Sequence, residues 1–207
     1  MDASFWLERW QQGRIGFHEG KPNALLVRHL DRLTGHRLLV PMCGKAEDLA
    51  FLAAHGHTVL GLELVEDAVR AFFAEHALEP TVTQRGSLAI YTAGRITLIA
   101  GDLFAVTRDD VEGSGGPIDG VYDRAALIAL PPDLRHRYLD QLRALAAPGT
   151  PGLLVTFEHT TGSGPPFSIP PDLVGALYPH AELLESPSSP AGLQGGPATE
   201  HVFAVQL

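Results

Sequence analysis

The stretch from Leu38 to Glu63, LLVPMCGKAEDLAFLAAHGHTVLGLE, constrains the fold of this chain more than any other. Its hydrophobic pattern predicts a buried strand at Leu38–Val40, a tight turn, a helix at Ala46–His55 and a second strand at Thr58–Leu62. A strand, a helix and a strand joined over so few residues form the βαβ unit of a parallel sheet. Glycine in the first turn and an acid at the end of the next strand are typical of units that bind a nucleotide-like ligand.

The composition is that of one acidic globular domain. Hydrophobic residues make up 45% of the 207 residues and charged residues 19%, an ordinary globular balance. The 24 acidic and 15 basic residues give a net charge of −9, which argues against an extended nucleic-acid-binding surface. We expect a single domain over residues 1–207, with an N-terminal lid and helices at 1–35 and a Rossmann-like core at 36–207.

The location of the protein is also predicted by simple features. The N-terminus lacks the basic and apolar regions of a signal peptide, and no apolar run approaches the length of a membrane span. A lone cysteine, Cys43, excludes an internal disulfide framework and is typical of a reducing compartment. We therefore expect a cytoplasmic protein that does not bind membranes.

Strand and helix patterns alternate through the rest of the chain. Further strands are predicted at Arg95–Ala100, Ile118–Tyr122, Leu153–Phe157, Glu182–Leu184 and Val202–Leu207, and further helices at Ser4–Gln12, Asn23–Leu33, Glu66–Leu78 and Pro132–Ala147. Arg85–Tyr91 is interpreted as a short excursion and Thr107–Pro117 as an exposed loop. The alternation predicts an α/β, Rossmann-like fold: a mainly parallel seven-stranded sheet with helices on both faces and an N-terminal helical lid.

Ligands of such a sheet bind beyond the carboxyl ends of its strands. The residues at these ends are Met42 to Gly44, Glu63, Asp102, Asp123 with Arg124, and Glu158 with His159. Glu63 follows Gly44 by nineteen residues, the separation expected when a carboxylate accepts both hydroxyls of a ribose. Asp102 is placed to contact the amine of an adenine, or to offer its backbone N–H to a ring nitrogen. Acids at strand ends also cap the helices that follow, and spacing alone leaves the two roles about even.

The first turn lacks the glycine patterns that bind phosphate. It is neither GxGxxG nor GxxxxGK[ST], which disfavours a dinucleotide or a P-loop nucleotide. A turn with one glycine suits S-adenosylmethionine, which carries an amino-acid tail in place of a pyrophosphate. His55 and His57 lie in a turn without a third ligand, so we predict no metal site. No GxSxG elbow is present, which disfavours a serine hydrolase.

Four motifs resemble those of the thiopurine S-methyltransferase family. They are PMCGK after the first strand, GHTVLGLE through the second, DRAAL after the fourth, and GPPF, within a resemblance that runs in order from about Phe5 to Pro170. The resemblance implies a monomeric class I methyltransferase that moves a methyl group from S-adenosylmethionine to the sulfur of aromatic or heterocyclic thiols such as thiopurines. Some bacterial members are linked to the methylation of selenium and tellurium.

The resemblance also implies roles for individual positions. The cofactor contacts of the family fall on Trp10, Met42, Glu63 and Arg124, with Asp102 bordering the adenine. Phe17 and Pro166 are expected to line the acceptor pocket, and Trp6 to help cover it. Our hypothesis is that Arg124 favours an anionic acceptor and that Asp123 orients Arg124; without the resemblance, a strand-end ion pair is the first explanation. Met42 replaces a usual leucine, and Ser186–Thr199 departs from the family pattern.

Three rival functions remain open from the sequence. The same scaffold could methylate another small acceptor, such as a selenium or tellurium species, thiocyanate or a halide. A nicotinamide-dependent oxidoreductase is disfavoured by the missing glycine fingerprint. A non-catalytic protein that keeps the cofactor is disfavoured only weakly, by the presence of Asp123-Arg124 and the GPPF motif.

Overall fold

A computed structural model describes residues 3–15, 18–124, 126–162, 164–188 and 196–207 of the chain. These residues form one nine-stranded sheet with the order β3-β4-β5-β2-β1-β6-β7-β9-β8. Its strands are β1 (Arg37–Pro41), β2 (Thr58–Glu63), β3 (Thr81–Arg85), β4 (Leu88–Ala93), β5 (Ile96–Ala100), β6 (Gly120–Arg124), β7 (Pro151–His159), β8 (Glu182–Glu185) and β9 (Ala198–Gln206).

The centre of the sheet is parallel. Strands β5, β2, β1, β6 and β7 pair in parallel, whereas β3, β4, β8 and β9 pair antiparallel at the two sides. The chain runs outward from β1 through β2 to β5 in one direction, and from β6 to β7 in the other. This reversal creates a crevice between β1 and β6 at the carboxyl edge, where open α/β sheets bind their ligands.

Helices cover both faces of the sheet. Within the described ranges they are α1 (Ala3–Gln11), α2 (Ala24–Arg28), α3 (Glu47–Ala54), α4 (Glu66–Glu75), α5 (Arg108–Gly113), α6 (Ala126–Ala129), α7 (Pro132–Leu145) and α8 (Pro171–Leu177). No helix in these ranges is long and apolar enough to cross a membrane. The predicted α/β class with a mainly parallel central sheet is therefore confirmed in its architecture.

Two hydrophobic clusters lie on opposite faces of the sheet. One contains Val121 of β6 together with residues of α7, and the other contains Tyr122 of β6 together with residues of α3 and α4. Consecutive residues of a strand point to opposite faces, so each central strand contributes to both clusters. The near-continuous apolar runs of the central strands follow from burial on both sides.

The predicted strand count of seven was wrong, because a hairpin was interpreted as a short excursion. Strand β3, TVTQR, is exposed along its whole length, so it has no apolar run by which a strand could be recognised. Gly86, at a positive φ of 61°, forms the tight turn to β4. The hairpin adds an antiparallel edge to the sheet beside β5.

Three helical assignments also differ from the prediction. The expected loop at Thr107–Pro117 contains α5, which begins with a capping box between the side chains and backbones of Thr107 and Asp110. The predicted helix at Asn23–Leu33 divides into α2 and a 3₁₀ turn at Leu30–Arg32. The short helix α6 had no prediction. Such polar or very short helices lack the apolar periodicity on which the predictions rested.

Candidate active site

A cavity of about 1020 Å³ opens at the carboxyl ends of β1, β2 and β6. Of the residues predicted for the site, those that line this cavity are Trp6, Trp10, Met42, Glu63, Arg124 and Pro166. The cavity is at the upper end of the size of pockets that hold one drug-sized molecule, and it therefore has room for a cofactor and a small acceptor. Phe17 lies outside the described residues.

The turn after β1, from Met42 to Lys45, lines the cavity. Met42 and Gly44 both adopt positive φ, 48° and 55°, and the Cys43 N–H donates to the Leu62 carbonyl at 3.0 Å. Positive φ is unusual for a residue with a Cβ, and such residues concentrate at functional sites. Gly61 of β2 leaves room for this turn, because a Cβ there would lie 2.7 Å from the Cys43 Sγ, and also 2.5 Å from the Leu98 Cδ2. Gly61 was not among the predicted site residues, although it lies within the GHTVLGLE motif.

The Glu63 carboxylate accepts two backbone hydrogen bonds and also lines the cavity. Its Oε2 accepts the Gly44 N–H at 2.8 Å and its Oε1 accepts the Val65 N–H at 2.8 Å. Burial raises the pKa of this carboxyl, and the backbone hydrogen bonds of Val65, Gly44 and Leu64 oppose the rise. A carboxylate has about four acceptor positions, so both oxygens keep capacity for hydroxyl donors from a ligand in the cavity. A ribose diol fits this arrangement.

Arg124 and Asp123 point to opposite faces of the sheet. The Arg124 guanidinium lines the cavity and pairs with the Glu19 carboxylate. The Asp123 Oδ2 instead accepts the Tyr138 hydroxyl at 2.7 Å, and its Oδ1 accepts the N–H groups of Ala126 and Leu127 at 3.2 and 3.3 Å. The structure thus differs from the hypothesis that Asp123 orients Arg124, because neighbouring residues of a strand cannot share a face.

The burial of Asp123 makes the stability of the fold depend on pH. It is 2% exposed, and burial raises its pKa to about 6, against the three hydrogen bonds that lower it. An acid with a raised folded pKa stabilises the fold most when protonated, and this contribution is lost as the pH rises from the unfolded value through about 6.

We expect the stability of the wild type relative to Asp123→Asn to fall by about 2–3 kcal/mol between pH 4 and pH 7. Urea unfolding of both proteins across this range measures the difference, in which the other titrating groups cancel. A difference that stays constant with pH contradicts the raised pKa.

Asp48 lines the cavity and was not among the predicted site residues. It lies in the first turn of α3, is 2% exposed, and lines the cavity. Its Oδ1 accepts the Asn23 N–H at 2.6 Å and its Oδ2 accepts the Tyr122 hydroxyl at 2.9 Å. An acid five residues after Cys43, within the predicted helix, was visible in the sequence, but its partner Tyr122 lies 74 residues away.

Three other segments surround the cavity. Trp6, Arg9 and Trp10 of α1 line it, as the predicted N-terminal lid requires. Pro165 and Pro166 line it from the loop after β7, where the His159 Nε2 lies 3.2 Å from the Pro166 carbonyl. Pro187 and Ser188, from the segment that departs from the family pattern, line its rim together with Glu200 of β9.

Asp102 and the two histidines of the HGH turn take part in local structure. The Asp102 side chain is exposed, does not line the cavity, and accepts the Phe104 N–H at 2.9 Å at the start of a 3₁₀ turn. The Nδ1 atoms of His55 and His57 each lie 2.8 Å from a backbone carbonyl. Among the residues that the structure describes, no group of three or more His, Cys, Asp or Glu side chains has an arrangement that could hold a metal.

Known structures share the fold. A Burkholderia thailandensis 1,6-didemethyltoxoflavin-N1-methyltransferase, solved with 1,6-didemethyltoxoflavin and S-adenosylhomocysteine, superposes with a TM-score of 0.64 at 20% identity, over 98% of this chain and 86% of the other. TehB from Haemophilus influenzae gives a TM-score of 0.60 at 13% identity, over 89% and 62% of the two chains. At these identities the likeness supports the fold alone, and it confirms the predicted Rossmann-like methyltransferase fold.

Other proteins are more similar to this chain in sequence than these structures are. The chain is 45% identical to a thiopurine S-methyltransferase of Xanthobacter autotrophicus, with 100% of this chain and 99% of the relative aligned. It is 48% identical to a thiopurine S-methyltransferase of Pseudomonas paraeruginosa, over 82% of this chain and 78% of the relative. The family model described as thiopurine S-methyltransferase matches residues 1–189. The resemblance inferred from the four motifs is confirmed: this chain belongs to the thiopurine S-methyltransferase family.

Proposed function

We propose that this protein transfers a methyl group from S-adenosyl-L-methionine to the sulfur of an aromatic or heterocyclic thiol such as a thiopurine. Membership of the family supports the reaction. The observation that carries the proposal is one cavity in which Met42 and Glu63, expected to hold the cofactor, lie with Pro166, expected to contact the acceptor. Trp10 and Arg124 line the same space.

The residues of the cavity suit this cofactor. Glu63 offers acceptors for the ribose hydroxyls, and the turn at Met42 to Gly44 lets a ligand approach the backbone. Met42 contributes an apolar side chain to the wall. Bound S-adenosylmethionine would supply a methyl group on a sulfonium, which is already activated towards a nucleophile. The exposed side chain of Asp102 caps a 3₁₀ turn, so any contact of Asp102 with the adenine falls to its backbone.

The protein then has to align the acceptor and keep water away. Trp6 and Trp10 cover the cavity from α1, and Pro165 and Pro166 close another wall. A dry, aligned site supplies most of the acceleration that a displacement of this kind needs. The positive charge of Arg124 at the cavity favours the ionised form of a thiol acceptor. Asp123 lies on the opposite face of the sheet, where its Oδ1 accepts N–H groups of the first residues of α6 and so holds the start of this helix in place.

Calorimetric titration with S-adenosylhomocysteine tests the cofactor assignment. We expect one molecule to bind per chain, and no binding contradicts the proposal. A second measurement follows labelled methyl transfer to a panel of heterocyclic thiols, thiocyanate, halides and selenium and tellurium species. Transfer to thiols with rates well above the others supports the proposed acceptor. Preference for another acceptor would move the function to that substrate on the same scaffold.

We further propose that the protein acts in the cytoplasm as a monomer with one domain, and that its partners are small molecules and not nucleic acid. The net charge of −9 and the single cysteine, Cys43, which is buried beside the cavity, support this assignment. Light scattering after size-exclusion chromatography measures the mass in solution. A mass near 22.2 kDa is expected for the monomer, and a mass near twice that value contradicts it.

A further inference from the structure

We propose that Asp48 binds the α-ammonium group of the cofactor's amino-acid tail and thereby selects a cofactor that carries this group. The inference rests on the proposed use of S-adenosylmethionine and assigns a binding role to a residue outside the four family motifs. It depends on where Asp48 lies relative to Glu63, on its hydrogen-bond partners and on the charges around it.

The order of the strands separates Glu63 from the strand that Asp48 contacts. Glu63 ends β2, the turn at Gly44 follows β1, and Tyr122, which hydrogen-bonds Asp48, belongs to β6. Since β1 lies between β2 and β6 and adjacent strands are about 4.8 Å apart, the two carboxylates are anchored to strands about 10 Å apart. If Glu63 binds the ribose of the cofactor, the amino-acid tail extends past the turn after β1 towards β6 and Asp48.

The polar groups at this end match the two charges of an amino acid. Arg124 presents a guanidinium to the cavity, and Asp48 presents a carboxylate. An α-carboxylate and an α-ammonium group carry the opposite charges. Both protein groups lie on the same face of β6, because Tyr122 and Arg124 are two residues apart on that strand.

The partners of Asp48 are neutral donors. Its two oxygens accept the Asn23 N–H and the Tyr122 hydroxyl, and each oxygen keeps a further acceptor position. Within the described part of the chain, Asp48 makes no ion pair. Arg124, whose positive charge lowers the pKa of Asp48, is itself paired with Glu19. A buried carboxylate without a cation is costly, and a ligand ammonium group compensates it.

The pKa of Asp48 is consistent with this environment. Burial raises the pKa, while the Asn23 N–H, the charge of Arg124 and the Tyr122 hydroxyl lower it and the charge of Glu19 raises it. Hydrogen bonds alone would account for a structural role, in which Asp48 ties α2 and β6 to α3. The two roles differ in one respect: only the binding role makes the affinity depend on the ligand's amino group.

The test compares two ligands by calorimetry: S-adenosylhomocysteine, and its analogue in which hydrogen replaces the α-amino group. We expect the wild type to prefer S-adenosylhomocysteine by about 10- to 100-fold, the range of one charge-assisted hydrogen bond. In Asp48→Asn we expect this preference to fall below about 3-fold, with the affinity for the deaminated analogue little changed. Glu47→Gln is the matched control, because it removes the same charge one residue away, where Glu47 pairs with His76.

The outcomes separate the inference from the proposed function. Binding of S-adenosylhomocysteine with a preference that Asp48→Asn retains overturns the role of Asp48 and leaves the function intact. A wild type that binds both ligands equally also overturns the role, and this measurement needs no variant to fold. A wild type that binds neither ligand removes both the inference and the proposed cofactor. Loss of the preference in Asp48→Asn, with its retention in Glu47→Gln, supports the inference.

Discussion

Replacement of Glu63 by alanine is expected to weaken the binding of S-adenosylhomocysteine about 100-fold or more, because two hydrogen bonds from hydroxyls to a carboxylate are lost. The same change leaves the N–H groups of Gly44 and Val65 without their acceptor. Unpaired buried N–H groups cost about 1–3 kcal/mol each, so the free energy of unfolding should fall by about 2–4 kcal/mol. Calorimetry and urea unfolding measure the two effects on one protein.

Two variants separate these effects. Glu63→Gln keeps one oxygen acceptor, so it should lose less stability and retain an intermediate affinity. Glu66→Gln removes the same charge from a half-buried residue at the start of α4, which pairs with Arg70, accepts the Tyr91 hydroxyl and does not line the cavity. Its affinity should equal that of the wild type. If Glu63→Ala binds S-adenosylhomocysteine as tightly as the wild type, Glu63 does not contact the cofactor.

Replacement of Arg124 by alanine is expected to lower methyl transfer to a heterocyclic thiol about 100-fold near neutral pH, the cost of removing one well-placed charged donor. The guanidinium is mostly buried, with 13% of its side chain exposed, so its charge is weakly screened in the cavity. The loss should shrink as the pH rises, because the acceptor thiol then ionises without assistance. A pH profile of kcat/KM for both proteins measures this.

Arg124→Lys keeps the charge without the planar fork and should have intermediate activity. Arg143→Ala is a control on the surface of α7, where Arg143 pairs with Asp140. Because Arg124 also lowers the pKa of Asp48, the affinity for S-adenosylhomocysteine is measured in parallel to separate binding from transfer. Full turnover by Arg124→Ala across the pH range would show that the arginine has no part in the reaction.

The predictions failed where the local pattern was weak. The hairpin of β3 and β4 was not recognised because β3 is exposed and polar, and it depends on pairing with β5 through β4. Helix α5 was interpreted as a loop because its six residues are mostly polar, although Thr107 and Asp110 form the capping box that begins it. Both elements are held by caps and strand pairing, which hydrophobic periodicity does not report.

The pair Asp123-Arg124 shows that adjacency in the sequence does not predict contact between two side chains. Adjacency in the sequence suggested that the two side chains interact, yet the alternation of a strand separates them by the thickness of the sheet. The predicted strand at Ile118–Tyr122 ended before both residues, whereas β6 extends to Arg124. Had the strand been extended by two residues, the alternation would have predicted that Arg124 shares the face of Tyr122 and that Asp123 shares the face of Val121.

The amino-acid sequence predicted the βαβ unit from Leu38 to Glu63, the class of the fold, the family, and six residues that line one cavity. These follow from runs of apolar residues, turn glycines and local motifs, which act over short distances along the chain. The folded structure was needed to show that Asp48 contacts Tyr122 and Asn23, that Arg124 contacts Glu19, and that Gly61 leaves room for Cys43. Those contacts arise from strand order and the packing of distant segments, which spacing along the chain does not encode.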